Sequence, residues 1–332
     1  MSVARSRRGS PARSDAAALP SEETASRASV LGYEGRRVLV TGGAGFIGHH
    51  LVAALTRSGA HVLVIDDLSA GSAERLAPDV EFERLDIASD DLIGVLDRWR
   101  PSMVFHLAAQ VSVPRSESDP EHDLRVNGLG TLRLVTATRG SGARRLVFTS
   151  SGGAVYGETS APATEQSRVQ PDSAYGIHKL LAEQYVARSG IPYAIARPSN
   201  IYGPGQDAIG EGAVVAVFTS AAREGRSIVI HGDGTQERDF LHVVDLVDGL
   251  MLLGAAGSHG IWNASAGTST SILELADLVG RIAGQPLERG MGPRRPADVH
   301  LSRVASGRLR DLGWSPRVTL AAGVAGLLAP GV

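Results

Sequence analysis

The stretch "RVLVTGGAGFIGHHLVAAL", residues 37 to 55, constrains the fold more than any other. A β-rich run passes directly into a glycine turn, and the turn opens a helix of apolar period. Gly43, Gly45 and Gly48 satisfy G-x-G-x-x-G, and Gly42, Gly45 and Gly48 the related G-x-x-G-x-x-G. Between a strand and a helix, such glycines let backbone N–H groups and the helix N-terminus approach a pyrophosphate. A tight turn without a ligand would use the same glycines.

The alternation continues along the chain. "RRVLV", "HVLVID", "EFERLD", "MVFHLAA", "RRLVFTS" and "YAIARP" read as strands, with helix-period segments between most of them. The pattern predicts an α/β fold, a doubly wound parallel sheet of Rossmann type with helices on both faces. After about Pro198 longer Gly- and Pro-rich loops appear, "NIYGPGQDAIGEG", "HGDGTQERDF" and "RGMGPRRPADV". Such loops carry binding groups over a rigid scaffold, so a smaller C-terminal α/β substrate-binding domain is expected. The expected division is a disordered tail over 1–34, a dinucleotide-binding domain over 35–198, and the substrate domain over 199–332. The last could return one strand and helix to the main sheet.

The first thirty or so residues are rich in Ala, Ser and Arg and lack the apolar run of a signal peptide or membrane span. Asp15, Glu22 and Glu23 interrupt the positive charge that a transit peptide would carry. A net charge of -2 over 332 residues offers no basic field for nucleic acid. With no Cys, disulfides, thiolate metal sites and thiol nucleophiles are excluded together, which suits a cytoplasmic location. His49, His50, His178, His231 and His242 show no metal-ligand spacing, so no metal is expected.

The second strand ends "VIDDLSAG", placing Asp66 twenty-one residues beyond Gly45. A carboxylate there suits the adenosine ribose diol and would repel a 2′-phosphate, favouring NAD over NADP. Asp67 could share the role, and Asp66 could equally end the strand or cap a helix. Asp86 and Ile87, in "LDI", close the third strand where an adenine edge could be read.

In "DSAYGIHKLLAEQYV" Tyr175 and Lys179 stand one helical turn apart and share a helix face. Such pairs also meet by chance. A chemical role needs a phenol with a lowered pKa, and so a cofactor or substrate beside it.

Taken in order, "TGGAGFIG", "DDLSAG", "LDI", "HLAAQ", "VNGLGT", "TSSGGAVYG", "YGIHK", "RPSNIYGPG", "GDGTQERDFLHVVDLVDG", "NASAG" and "RRPADV…LGW" resemble an extended short-chain dehydrogenase/reductase. The likeness is to the NAD-dependent nucleotide-sugar epimerase/dehydratase family, over nearly everything from Arg36 onward. It implies that Tyr175 is the general acid and base and that Lys179 bonds the nicotinamide ribose. A free phenol titrates near ~10, and two positive charges, the ammonium and the oxidised nicotinamide, would bring it toward working pH. The hydroxyl on the loop after the fifth strand would be Ser151, with Ser150 the alternative, because that loop holds one residue more than the tightest form of the motif. Further cofactor contacts are implied at Phe46, Ile47, Leu107, Ala108 and Ala109, and at Asn127, which would also bind backbone and position the active helix.

Relatives that eliminate water or carbon dioxide place an acid after that hydroxyl, where this chain has Gly152 and Gly153. A 4-keto sugar formed here would therefore be reduced again, which implies epimerisation at C4 of a UDP-sugar. Glucose/galactose and glucuronate/galacturonate rank together, with N-acetylhexosamines third. Asn200, Arg238 and Arg295 would grip the diphosphate or nucleotide, by charge-assisted bonds from the arginines. Arg238 could instead pair with Asp239 at the surface, Arg294 could replace Arg295, and Asp298 would orient an arginine. His106 is expected to be a fixed structural imidazole, while His178 stands where the family usually has a small residue, for no reason visible in the sequence. A 4,6-dehydratase, a 4-ketoreductase or a non-catalytic nucleotide-sugar sensor are the alternatives. Homodimerisation is expected through the helices near "NGLGTLRLVTATRG" and "YGIHKLLAEQYVARSG".

Overall fold

The computed structural model describes residues 31–88, 91–208, 213–294 and 299–330. Six strands expected from the sequence are present: β1 (Arg37–Thr41), β2 (His61–Asp66), β3 (Glu81–Arg84), β4 (Met103–His106), β5 (Leu146–Thr149) and β6 (Tyr193–Pro198). With β10 (Gly260–Ala264) they form one seven-stranded sheet in the order β3-β2-β1-β4-β5-β6-β10. Every pair in it is parallel. Helices cover both faces, so the central strands are buried throughout; β4 and β5 show no exposed residue.

On one face lie α1 (Phe46–Arg57) and the helix Val243–Ala255. Their Leu51, Leu55, Leu246 and Leu250 are fully buried with Val38 and Val40 of β1. Each such leucine contributes roughly 1.5–3 kcal/mol by burial. The other face is covered by α2 (Leu92–Trp99), α3 (Thr131–Ser141) and α4 (Ala174–Ala187), with Leu96, Leu134, Ala182 and Val186 against Leu39, Leu146 and Phe148.

The chain order reverses between β1 and β4. The crevice that forms beyond the carboxyl ends of strands at such a point is where open α/β sheets bind ligands. Over that crevice stands the later part of the chain. There β9 (Glu237–His242) pairs with β7 (Asn200–Tyr202), β11 (Ser269–Ser271) and β13 (Leu301–Ser302), and β8 (Ile228–His231) pairs with β12 (Arg289–Gly292). Its own core includes Phe218, Ile230, Leu275 and Val324.

Ordered structure begins before residue 35. Tyr33 is 1% exposed and donates its hydroxyl to Met251 O at 2.7 Å, across a gap that Gly254 leaves open. The expected tail over 1–34 therefore runs too far by at least this residue. Among the described residues no helix is long and apolar enough to cross a membrane.

Candidate active site

The glycine turn is dictated first by the chain's own backbone. Gly42 has φ +72°, and a Cβ on it would stand 2.5 Å from Ala108 N. A Cβ on Gly48 would stand 2.0 Å from Gly42 O, so α1 can start here only with glycine. Gly45 is different. It precedes α1 with no side-chain cap, and its Cβ would meet Gly42 O at 3.3 Å, tight but without collision. The first-turn N–H groups at Phe46 and Ile47 have no helical partner and lie at the positive end of the helix dipole. This cradle fits a pyrophosphate, because it offers donors and leaves out the side chains that would fill it.

Asp66 ends β2 beneath the same turn, 8% exposed. Its Oδ2 accepts from Ala44 N at 3.0 Å and its Oδ1 from Leu68 N at 2.9 Å, which fixes the carboxylate in the crevice with further acceptor capacity. Burial pushes its pKa up, against the pull of those two bonds. Asp67 is turned to Ser69 N at 2.8 Å. The carboxylate of Asp86 is taken by Ala88 N and by Arg125, at 2.8 and 2.7 Å, and Ile87 packs under Gly130. Leu107, Ala108 and Ala109 follow β4 half-buried, against the glycine turn.

The active helix α4 is locked at its start. Its first-turn donors are all engaged by side chains: Ala174 N by Glu117 Oε1 at 2.7 Å, Tyr175 N by Ser116 Oγ at 3.0 Å and Gly176 N by Ser173 Oγ at 3.1 Å. A Cβ on Gly176 would stand 2.5 Å from Ala154 O, so α4 lies directly on the short helix Gly152–Val155. That contact brings the Tyr175 phenol close enough to Ser151 for the hydroxyl to favour its ionisation.

The serine alternatives now separate. Ser150 is 4% exposed and donates to Glu183 Oε1 at 2.5 Å, and Glu183 in turn holds Arg197 through bonds of 2.8 and 2.6 Å. Ser151 precedes the short helix without capping it, so its hydroxyl stays available to the phenol. A side chain at Gly152 would be crowded: a Cβ would meet Val304 Cγ1 at 3.0 Å, Arg197 O at 3.1 Å and Pro198 O at 3.2 Å.

Lys179, 3% exposed, donates to Thr149 O at 2.7 Å and sits 4.4 Å from the centroid of the Phe148 ring. Burial lowers its pKa to about 8, with Glu183 and Asp123 resisting the change. Burial raises the Tyr175 phenol above its ordinary value; Asp123 adds to the rise and Ser151 opposes it.

Asn127 lies in a π-helical turn, Leu124–Gly130, of the kind often found at functional sites. Its amide donates to Gln110 O at 2.9 Å and Asp123 Oδ1 at 3.0 Å, and its oxygen accepts from Gln110 N at 3.0 Å. These bonds tie the π-helical turn to the segment that follows β4. His106 is the fixed imidazole expected, fully buried between Thr41 Oγ1 and Thr131 Oγ1 at 2.8 and 2.9 Å, and burial holds its pKa down near about 3.

Across the crevice the surface pairing of Arg238 with Asp239 does not occur. Asp239 is 2% exposed and turned inward to Ser199 Oγ, Ala266 N and Gly267 N, at 2.8, 2.8 and 2.7 Å. Arg238 bonds Glu237 O at 2.8 Å and His300 O at 3.4 Å, and Asn200 bonds Asp239 O at 3.3 Å. Arg294 stands exposed beside Gly232. Arg295 and Asp298 lie outside the described residues. Among the described residues no cluster of His, Asp and Glu could hold a metal.

A family model described as the NAD dependent epimerase/dehydratase family matches residues 38–265. The chain belongs to that family. It is 43% identical over 301 residues to UDP-glucose 4-epimerase of Mycolicibacterium smegmatis, covering 87% of this chain and 96% of the relative. UDP-glucose 4-epimerase of Thermus thermophilus, solved in complex with NAD, superposes with a TM-score of 0.86 at 35% identity, covering 89% of this chain and 100% of that one. The Thermotoga maritima UDP-glucose 4-epimerase, solved with UDP-glucose, gives 0.85 at 36% identity over 88% and 97% of the two chains.

Three residues of the site carry no signal of their own in the sequence. Asp123 is one acid among many until Asn127 and Gln110 close on it. Glu117 and Ser116, which lock the start of α4, lie 57 and 59 residues from the donors they hold.

Proposed function

We propose that this member of the family is an NAD-dependent UDP-sugar 4-epimerase of the cytoplasm, with UDP-glucose and UDP-galactose as its pair. The observation that carries this reading is Tyr175 beside Ser151, followed by Gly152 at a place where even a Cβ would crowd Val304 and two backbone carbonyls. The relatives named UDP-glucose 4-epimerase support the choice of hexose.

NAD would lie along the Gly42–Gly48 turn with Asp66 on its adenosine ribose and Lys179 near its nicotinamide ribose. When bound, it supplies a hydride acceptor at C4 and afterwards the hydride donor. Tyr175 takes the proton of the 4-hydroxyl as C4 is oxidised, and Ser151 holds that oxygen throughout. Lys179 stabilises the phenolate form of Tyr175 by its charge. Asn200, Arg238 and Arg295 hold the nucleotide diphosphate while the ketohexose turns its other face. Tyr175 then returns the proton to the oxygen, now of opposite configuration. No net oxidation occurs, so the cofactor would not need to leave.

The chain would act as a homodimer. Leu132 of α3 and Ile177 of α4 are 36% and 53% exposed, and Leu124 and Leu129 just before α3 are 42% and 39% exposed. A second copy packing the same two helices would remove this apolar surface from water. A monomeric mass at micromolar concentration would refute the dimer.

The reaction is tested by incubating the protein separately with UDP-glucose, UDP-glucuronate and UDP-N-acetylglucosamine, then separating products by ion-pair chromatography with mass detection. A new peak of unchanged mass from UDP-glucose is the expected result. A product lighter by water or carbon dioxide would overturn the reading of Gly152.

A further inference from the structure

His178, on the active helix between Tyr175 and Lys179, is used nowhere in that scheme. Its Nδ1 lies 2.7 Å from Asp123 Oδ2, with 13% of its side chain exposed and none of Asp123. A carboxylate only accepts, so Nδ1 carries the hydrogen and donates. The other oxygen of Asp123 accepts from Gln110 Nε2 at 2.6 Å and Asn127 Nδ2 at 3.0 Å. Those amides occupy one oxygen of Asp123, and the imidazole occupies the other.

Asp123 matters because of what lies beside it. Its charge opposes ionisation of Tyr175, the residue that must give up and retake a proton. A buried carboxylate without compensation raises the cost of any further negative charge nearby. Three charged groups on this helix and its neighbouring elements have partners of their own. Glu117 is bound by Ala174 N, Arg125 by Asp86, and Glu183 by Arg197. Lys179, which also feels Asp123, donates to Thr149 O. His178 is thus the group built onto Asp123.

We propose that His178 is a positioning residue for proton transfer at Tyr175: by donating Nδ1–H to Asp123 it fixes that carboxylate and takes up part of its charge. The phenol then feels less of the Asp123 charge that opposes its ionisation, against the favourable influence of Ser151. This accounts for an imidazole where the family usually has a small side chain. It rests on Tyr175 being the acid–base residue.

The test titrates the Tyr175 phenolate in the NAD-loaded enzyme, as the ultraviolet difference spectrum between parent and Tyr175→Phe, alongside the pH profile of kcat. His178→Ala should move both midpoints to higher pH by about one unit, which is about tenfold in kcat below the midpoint. KM for the nucleotide sugar should change less than twofold. His178→Asn, whose amide can still donate to Asp123, should recover most of the shift. Asp123→Asn alone should move the midpoints to lower pH, and so gives an answer even if His178→Ala does not fold. Midpoints unmoved in His178→Ala, or moved upward in Asp123→Asn, would overturn the proposal. The titration does not depend on turnover, so a protein that binds NAD but epimerises nothing would refute the proposed reaction and still decide the role of His178.

Discussion

At Gly48 a single Cβ would stand 2.0 Å from the carbonyl of Gly42, whereas Arg238, across the crevice, is a long side chain whose bonds include those to Glu237 O at 2.8 Å and His300 O at 3.4 Å. The first side of the cleft is shaped by backbone in contact with backbone, so its residue types are required by the fold whether or not a ligand is present. The second is shaped by side chains reaching from short strands, so its residue types answer to the ligand. Tyr175 sits where the two meet, on a helix whose start is locked by Ser116, Glu117 and Ser173. Substitutions on the first side should therefore cost folding and cofactor together, and those on the second should cost substrate affinity alone.

The largest effect is expected at the meeting point. Tyr175→Phe should lower kcat by on the order of 10³-fold while leaving NAD content and UDP-sugar affinity as they were. Equilibrium binding beside turnover is the check; loss of binding would mean that the hydroxyl is part of the scaffold. Next comes Gly48→Ala, which forces α1 away from the turn and should destabilise the protein by about 1–3 kcal/mol. Thermal melting and the NAD retained on purification should fall together, and a stable variant that merely lost NAD would break the contrast. Arg238→Ala should raise KM for the nucleotide sugar by roughly 15- to 100-fold, within the ~1.5–3 kcal/mol of a hydrogen bond to a charged group, at unchanged melting temperature. A fall in melting temperature there would show that the second side is also structural.

The smallest effect concerns the seam between the two sides. His50, on α1, bonds Pro204 O at 2.8 Å, and His242 lies close enough to influence it. Burial lowers the pKa of each from 6.5 to about 4. Their folded pKa values lie below the unfolded ones, so the stability of the neutral imidazoles is full above pH 6.5 and is lost as pH falls toward about 4. The melting temperature should drop across that window, less steeply in His50→Gln. Equal slopes in parent and variant would remove His50 from the acid response.

The same contrast explains what could be read from the chain. The glycine turn, the strand alternation and the Asp66 spacing are local patterns imposed by backbone geometry, and they placed the sheet and the crevice correctly. Asp66 could also be read because its spacing from Gly45 is fixed by one helix and one strand. That Ser150 is held by Glu183, on another element, has no signal in the sequence around "TSSGGAVYG". The inward turn of Asp239 depends on the amides of Ala266 and Gly267, which no spacing in "QERDF" encodes. His178 had no explanation in sequence because its partner lies 55 residues away.

The central claim is that hydrogen leaves C4 and returns to C4 within one active site. Incubating the protein with UDP-glucose deuterated at C4 and measuring the label in the recovered UDP-sugars tests it directly. The account predicts UDP-galactose that keeps its deuterium at C4. UDP-galactose formed with that deuterium exchanged for solvent hydrogen would contradict it.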